Sequence, residues 1–184
     1  EINQKGGLLG KKVRLAIGDN RSDETLAAQV YGQLVNKNHA VAIIGPMYST
    51  IAIASGPLAD ELKVPFIATS ATNPRVTVDD NGRTRPYAFR VCFIDSFQGT
   101  VMADFALRHL KASRAAVYVD DSAYYSQGLA SFFSQAYLRQ GGRVVYKAGY
   151  TSEITDFRPP LQLLLDDKPE VIFVPGYYSE VAKI

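Results

Sequence analysis

Short apolar runs alternate with stretches of helical periodicity along this chain, and that alternation limits its fold more than any other feature. Residues 41–44 are apolar without a break and stop at Gly45-Pro46, residues 65–68 form a second such run, and residues 171–174 a third. A continuous apolar run of four to eight residues bounded by turn residues fits a strand buried on both faces. Between the runs, apolar residues recur every three to four positions, as in Leu26, Ala27, Val30, Leu34 and Val35 behind the start signal Ser22-Asp-Glu24. Strand, helix and strand in strict succession imply parallel sheets with helices on their faces.

Applied along the chain, this pattern predicts strands at residues 12–17, 41–44, 65–68 and 87–93, with helices from Ser22 and over residues 49–62. Residues 73–86 carry Asp79-Asp-Asn-Gly-Arg83 and read as an exposed loop. Asp95-Ser96 is expected to cap a helix running through Met102, Phe105, Ala106 and Leu110, and the crossing into a second layer is expected at residues 93–98. The alternation then starts over: strands at 115–119, 143–146 and 171–174, helices at 128–139 and 157–165, and a last helix from Ser179. Pro159-Pro160 is compatible with a helix only in its first turn, where the missing N–H groups have no intrahelical acceptor, which predicts a start near Asp156. The opening, a Lys followed by Gly6 and Gly7, reads as a helix C-cap, so the sequence is expected to begin, and likewise to end, in mid-fold.

Composition excludes several classes. The 184 residues are 47% hydrophobic and 21% charged, which is ordinary for a globular protein. Twenty basic residues against eighteen acidic ones are scattered, without the basic stripe of a nucleic-acid binder. The longest apolar runs fall far short of the roughly 20 residues that span a bilayer. The single cysteine, Cys92, lies in an apolar run and reads as a buried strand thiol. No signal-peptide pattern is visible at the start.

In parallel α/β sheets, ligands bind where strands end and helices begin, because helix N-termini carry free N–H groups. Two such loops in the first half are rich in hydroxyls: Met47-Tyr-Ser-Thr50, and Thr69-Ser-Ala-Thr72. Ser49 and Thr72 could hold a carboxylate by charge-assisted hydrogen bonds, or be an ordinary N-cap and an ordinary turn residue. In the second half, the loops after residues 119 and 174 each carry a tyrosine pair, Tyr124-Tyr125 and Tyr177-Tyr178, suited to cover an apolar ligand or to pack on a lobe surface. Catalytic residues are not apparent. His39 and His109 lie away from the carboxyl ends of strands, no metal-ligand spacing occurs, and neither a phosphate-binding glycine loop nor a nucleophile elbow is present. Asp120-Asp121 is the one acidic pair at a strand end, and neighbours on an extended segment point to opposite sides.

In order, Ile2-Asn-x-x-Gly-Gly-x-Leu-Gly10, Ile44-Gly-Pro-x-x-Ser49, Ser70-Ala-Thr-Asn-Pro74, Phe89-Arg90 with Asp95 and Gln98-Gly99, Tyr125-x-x-Gly-Leu129, Thr155-Asp-Phe157 and Gly176-Tyr-Tyr178 resemble the branched-chain amino acid (Leu/Ile/Val) binding proteins that feed ABC importers. The resemblance spans nearly the whole chain. It implies an α/β type I periplasmic-binding-protein fold, two doubly wound parallel-sheet lobes joined by a three-strand hinge and both incomplete here, with residues 1–95 in the first and 96–184 in the second. It further implies an extracytoplasmic solute-binding role beside an ABC membrane permease, without cofactor or enzymatic activity. Carried over by position, Ser49 and Thr72 match hydroxyl donors to the ligand carboxylate, Ser70 the carbonyl that receives its ammonium, and Tyr125 and Tyr177 the second-lobe residues that close over it. The acidic partner of the ammonium is expected beyond Ile184, so that these 184 residues alone are expected to hold an amino acid poorly or not at all. Ser126 departs from a common glycine, and Tyr124 adds a ring, which is expected to alter the mouth of the pocket. The same fold serves amide, urea and aromatic-acid binders and the sensing domains of regulators and receptors, a second reading of this sequence.

Overall fold

The computed structural model describes residues 1–151 and 153–184. Among the described residues, six strands, β1 (Ile43–Ile44), β2 (Phe66–Ala68), β3 (Ala88–Arg90), β4 (Arg114–Asp120), β5 (Arg143–Tyr150) and β6 (Val171–Phe173), form two three-stranded sheets. The first has the order β1-β2-β3 and the second β5-β4-β6, and every pairing within them is parallel. Among the described residues, six α-helices accompany the strands: α1 (Glu24–Asn36), α2 (Ser49–Leu62), α3 (Asp95–Asp104), α4 (Tyr124–Arg139), α5 (Arg158–Asp166) and α6 (Tyr178–Val181).

The chemistry of β4 shows why the sheets are parallel and covered on both faces. Its side chains alternate: Ala115, Val117 and Val119 join Phe133 and Tyr137 of α4 on one face, and Ala116 and Tyr118 join Tyr150, Phe157 and Leu164 on the other. A strand with no solvent face has to be apolar along its interior, as residues 115–119 of β4 are. In the first half, Phe66, Ala68 and Ala88 of the sheet are buried against Ala52 and Ala59 of α2 and Tyr31 of α1, whose hydroxyl donates to the Val64 carbonyl at 2.6 Å. Helices α3 and α4 approach so closely that a Cβ on Gly99 would lie 2.6 Å from the Phe133 amide nitrogen.

Several expectations need correction. Residues 12–17 form no strand: Leu15 and Ile17 are exposed, and a cavity of about 620 Å³ separates this segment from residues 40–45, so it has no neighbour to complete a ladder. An apolar run becomes a strand only where backbone partners exist beside it. Instead, the Asn3 side chain takes the partner's place, donating to the Val13 carbonyl and accepting from the Val13 N–H, both at 2.7 Å. The segment 73–86 is only partly an exposed loop, since it opens with a 3₁₀ turn at Pro74–Val76 and buries Asn73 and Val76.

Asp95 does not cap α3 through its side chain; it is the helix's first residue and is completely buried. The helix gives way to a π-helical turn at Phe105–His109. Cys92 lies past the end of β3, half-buried, with its thiol near the Ala71 carbonyl. Helix α4 begins at Tyr124, four residues before the expected start, so its tyrosine pair is helical. Helix α5 begins at Arg158 with its prolines in the first turn.

Candidate functional site

The polar groups expected at strand ends meet where the two halves of the chain touch. Ser49 opens α2 and is buried, and its Oγ accepts the Asn73 N–H at 3.2 Å, which places it beside the backbone that carries Thr72. Thr72 is itself buried, with no aligned hydrogen-bond partner for its hydroxyl. Ser70, on the same loop, is exposed and donates to the Met47 carbonyl at 3.1 Å. Arg90 fixes this loop: its guanidinium donates to the carbonyls of Ala71 (3.1 Å), Asn73 (2.9 Å) and Pro74 (3.1 Å) and to the Thr77 hydroxyl (2.8 Å). A rigid fork of five donors suits a bend in which several carbonyls converge.

From the second half, the first turn of α4 meets this loop. The Tyr124 N–H donates to the Thr50 hydroxyl at 3.3 Å, and the Tyr124 carbonyl accepts from the Asn73 side chain at 2.8 Å. The Arg75 guanidinium stands over the Tyr124 ring, 5.1 Å from its centroid, so this added ring serves the junction through a cation–π contact. Gly128 permits the approach, because a Cβ there would lie 2.6 Å from Asn73 Nδ2 and 3.3 Å from Asp95 Oδ2. Ser126 lies inside, not at the mouth: its buried hydroxyl accepts the Asp120 N–H at 2.8 Å and donates to the Pro175 carbonyl.

Tyr125 and Tyr177 stack with ring centroids 5.4 Å apart, and Tyr48 from the first half meets Tyr177 edge-on at 4.7 Å. Burial is the main cause that raises the pKa of the Tyr125 and Tyr177 hydroxyls, and the Asp95 carboxylate adds to it in both. Asp95 has neither oxygen in an aligned hydrogen bond. Burial pushes its carboxyl up to about 6, while the Thr72 hydroxyl and Arg90 beside it pull the other way.

The loops that carry Ser49 and Thr72 therefore meet the first turn of α4 and the Tyr125–Tyr177 stack at one junction, with Ser70 at its exposed edge. Sequence reasoning missed Tyr48, Asn73 and the buried state of Asp95, although all three lie in segments already singled out. The 620 Å³ cavity is lined by none of the five predicted residues. A smaller one, about 350 Å³, lies beside the start of α2 and is lined in part by Tyr48 and Thr69. His39 borders the larger cavity, and His109 stacks on Phe105 at the end of the π-helical turn. Asp120 is buried and accepts from both the N–H and the hydroxyl of Ser122, while Asp121 lies against Gly149; the acidic pair is divided as expected. Among the described residues, no group of three or more His, Cys, Asp or Glu could hold a metal, and no helix is long and apolar enough to cross a membrane.

Two parallel α/β layers that meet through the ends of their strands define a two-part α/β architecture. The chain belongs to the periplasmic binding protein family, whose model matches residues 1–183. An amino acid binding protein of Pseudomonas aeruginosa is 30% identical over 184 residues, which are 100% of this chain and 48% of that protein. A leucine binding protein from Thermotoga maritima superimposes with a TM-score of 0.89 at 37% identity, over 98% of this chain and 50% of that one. A branched-chain amino acid transporter substrate binding protein from Streptococcus pneumoniae, solved with isoleucine, gives a TM-score of 0.88 at 32% identity, over 99% and 50%. The chain thus spans about half the length of these relatives.

Proposed function

We propose that this chain carries part of the ligand site of an extracytoplasmic solute-binding protein, which captures a branched-chain or related amino acid between two lobes and delivers it to an ABC membrane permease without catalysing a reaction. The lobes are residues 1–95 and 96–184. The observation that supports this most is that the loops carrying Ser49 and Thr72 touch the second half beside the Tyr125–Tyr177 stack, Tyr48 lying edge-on to Tyr177 at 4.7 Å and Asn73 donating to the Tyr124 carbonyl at 2.8 Å. Ser49 stands at the N-terminus of a 14-residue helix, where free N–H groups and the helix dipole favour a carboxylate. Ser70 supplies backbone polarity at the edge, and the tyrosine rings supply an apolar wall with polar tips for the ligand side chain. The kinship with leucine- and isoleucine-binding proteins supports the choice of ligand class.

Nuclear magnetic resonance titration of the chain with leucine, isoleucine, valine and benzoate tests this. Saturable shifts at Ser49, Thr72, Tyr125 and Tyr177 with the branched-chain amino acids are expected, weakened by Ser49→Ala. Shifts confined to other residues would overturn the assignment.

A further inference from the structure

The two halves of the chain do not share a core. Tyr31, Ala52, Phe66 and Ala88 are buried with one another in the first half, whereas the clusters around Phe133 and around Tyr118 consist of residues from Ala103 onward. Among the described residues, no strand of one sheet pairs with a strand of the other. Helix α3 packs on α4 at Gly99, so the second body begins at Asp95, and the link into it, residues 91–94, belongs to neither a helix nor a strand. Bodies with separate cores on such a link turn against each other unless specific contacts hold them.

Those contacts converge on Tyr124. Beside the link, the Asp95 N–H donates to the Thr72 carbonyl at 3.0 Å. Away from it, among the described residues, two hydrogen bonds join the halves and Tyr124 makes both: its N–H donates to the Thr50 hydroxyl at 3.3 Å and its carbonyl accepts from the Asn73 amide at 2.8 Å. Tyr124 is the first residue of α4, so its N–H has no acceptor within the helix and is free to serve the contact. The ring adds a third hold. Arg75 stands over it, 5.1 Å from the centroid, and Asp80 fixes the guanidinium there by accepting from Nε at 3.2 Å and Nη2 at 2.8 Å.

We propose that Tyr124 is the pin of a latch that takes the place of a shared core: Thr50, Asn73 and Arg75 grip it from the first half and hold the two bodies in one arrangement without any bound molecule. This goes beyond the ligand reading above and does not depend on it, since the gripping residues are separate from the five assigned to the ligand. Bodies already held together lose less freedom when a molecule binds between them, so the latch favours every ligand alike and selects none.

Residual dipolar couplings of backbone amides, measured by nuclear magnetic resonance on the 184-residue chain without ligand, test the latch because they report the orientation of each body separately. Couplings from β1–β3 and from β4–β6 should fit one common alignment tensor in the native chain and in Tyr124→Phe, which keeps an aromatic face for Arg75 and both backbone hydrogen bonds. Tyr124→Ala combined with Thr50→Val should need two tensors of different magnitude, while each body taken alone still fits its own structure and is therefore still folded. Two tensors in the native chain, or one common tensor preserved in the double variant, overturns the proposal. Where the double variant loses the fit within a body, the single variants Arg75→Ala and Thr50→Val decide, because neither residue belongs to a core cluster. Separate tensors in either support the latch, and a common tensor in both overturns it.

Discussion

The side-chain amide of Asn73 donates to the backbone carbonyl of Tyr124 at 2.8 Å, and this one hydrogen bond joins the hydroxyl-bearing loop of the first half to the first turn of α4 in the second. The Asn73 Oδ1 accepts the Arg75 N–H at 3.0 Å, so the amide is oriented from both ends. Asn73→Ala should cost about 1–2 kcal/mol in chemical denaturation, because the part-buried Tyr124 carbonyl and the Arg75 N–H both lose a partner. Asn73→Asp should cost at least as much, since a carboxylate keeps the cap on Arg75 but turns an acceptor toward the carbonyl.

Gly99 and Gly128 allow two close approaches with different neighbours. A Cβ at Gly99 meets the Phe133 amide nitrogen at 2.6 Å and backbone of Phe132, which cannot move without shifting α4. A Cβ at Gly128 meets the Asn73 side-chain nitrogen at 2.6 Å. Both Ala variants should destabilise the chain by about 1–3 kcal/mol in thermal or denaturant unfolding, with Gly99→Ala at the upper end. Gly128→Ala should also displace the Asn73 side-chain amide resonances, which Gly99→Ala should leave closer to their native positions.

Arg90 satisfies three carbonyls and a hydroxyl of the 71–77 loop at once. Arg90→Lys retains the charge but cannot reproduce the planar fork, so hydrogen exchange of the amides at 71–77 should accelerate while that of β4 stays slow. A loss of roughly 2–4 kcal/mol is expected for Arg90→Ala, where several buried carbonyls are left without a donor.

The buried carboxyl of Asp95 also gives stability a definite dependence on pH. Its pKa is raised in the folded chain to about 6, so between about pH 4 and pH 6 the folded form holds a proton that the unfolded form has lost. Stability contributed by this group is therefore full below about pH 4 and declines as pH rises through 6, by on the order of 1–3 kcal/mol. Glu170 works in the opposite sense: the N–H groups of Ser113 and Arg114 hold its carboxyl below its ordinary range, so its contribution is present at neutral pH and lost in acid. Comparing melting temperatures of the native chain and Asp95→Asn from pH 4 to 7 separates the two. The variant should be the more stable above pH 6 and should lack the decline; parallel curves would contradict this account.

Much of the local structure follows from residue order alone. Asp23 caps α1, accepting the Leu26 N–H at 2.7 Å, and α2 occupies residues 49–62 as its periodicity predicts. The two prolines of α5 sit in its first turn because nowhere else in a helix admits them. The parallel arrangement is written in β4, whose unbroken apolar run permits no solvent face. These are properties of a residue and its near neighbours in sequence.

Tertiary structure decided what depends on partners distant in the chain. Residues 12–17 have the composition of a strand but no backbone beside them to pair with, and an apolar run cannot supply its own ladder. Asp95 looks like a surface cap until α4, Thr72 and Arg90 close around it and bury its charge. Tyr48 is one hydroxyl residue among several in its loop, and only the approach of α6 brings it onto Tyr177. Sequence determined which groups are available at the strand ends, since residue type and spacing are local. Which of them face one another, and which become donor or acceptor, is set by burial and by neighbours dozens of positions away.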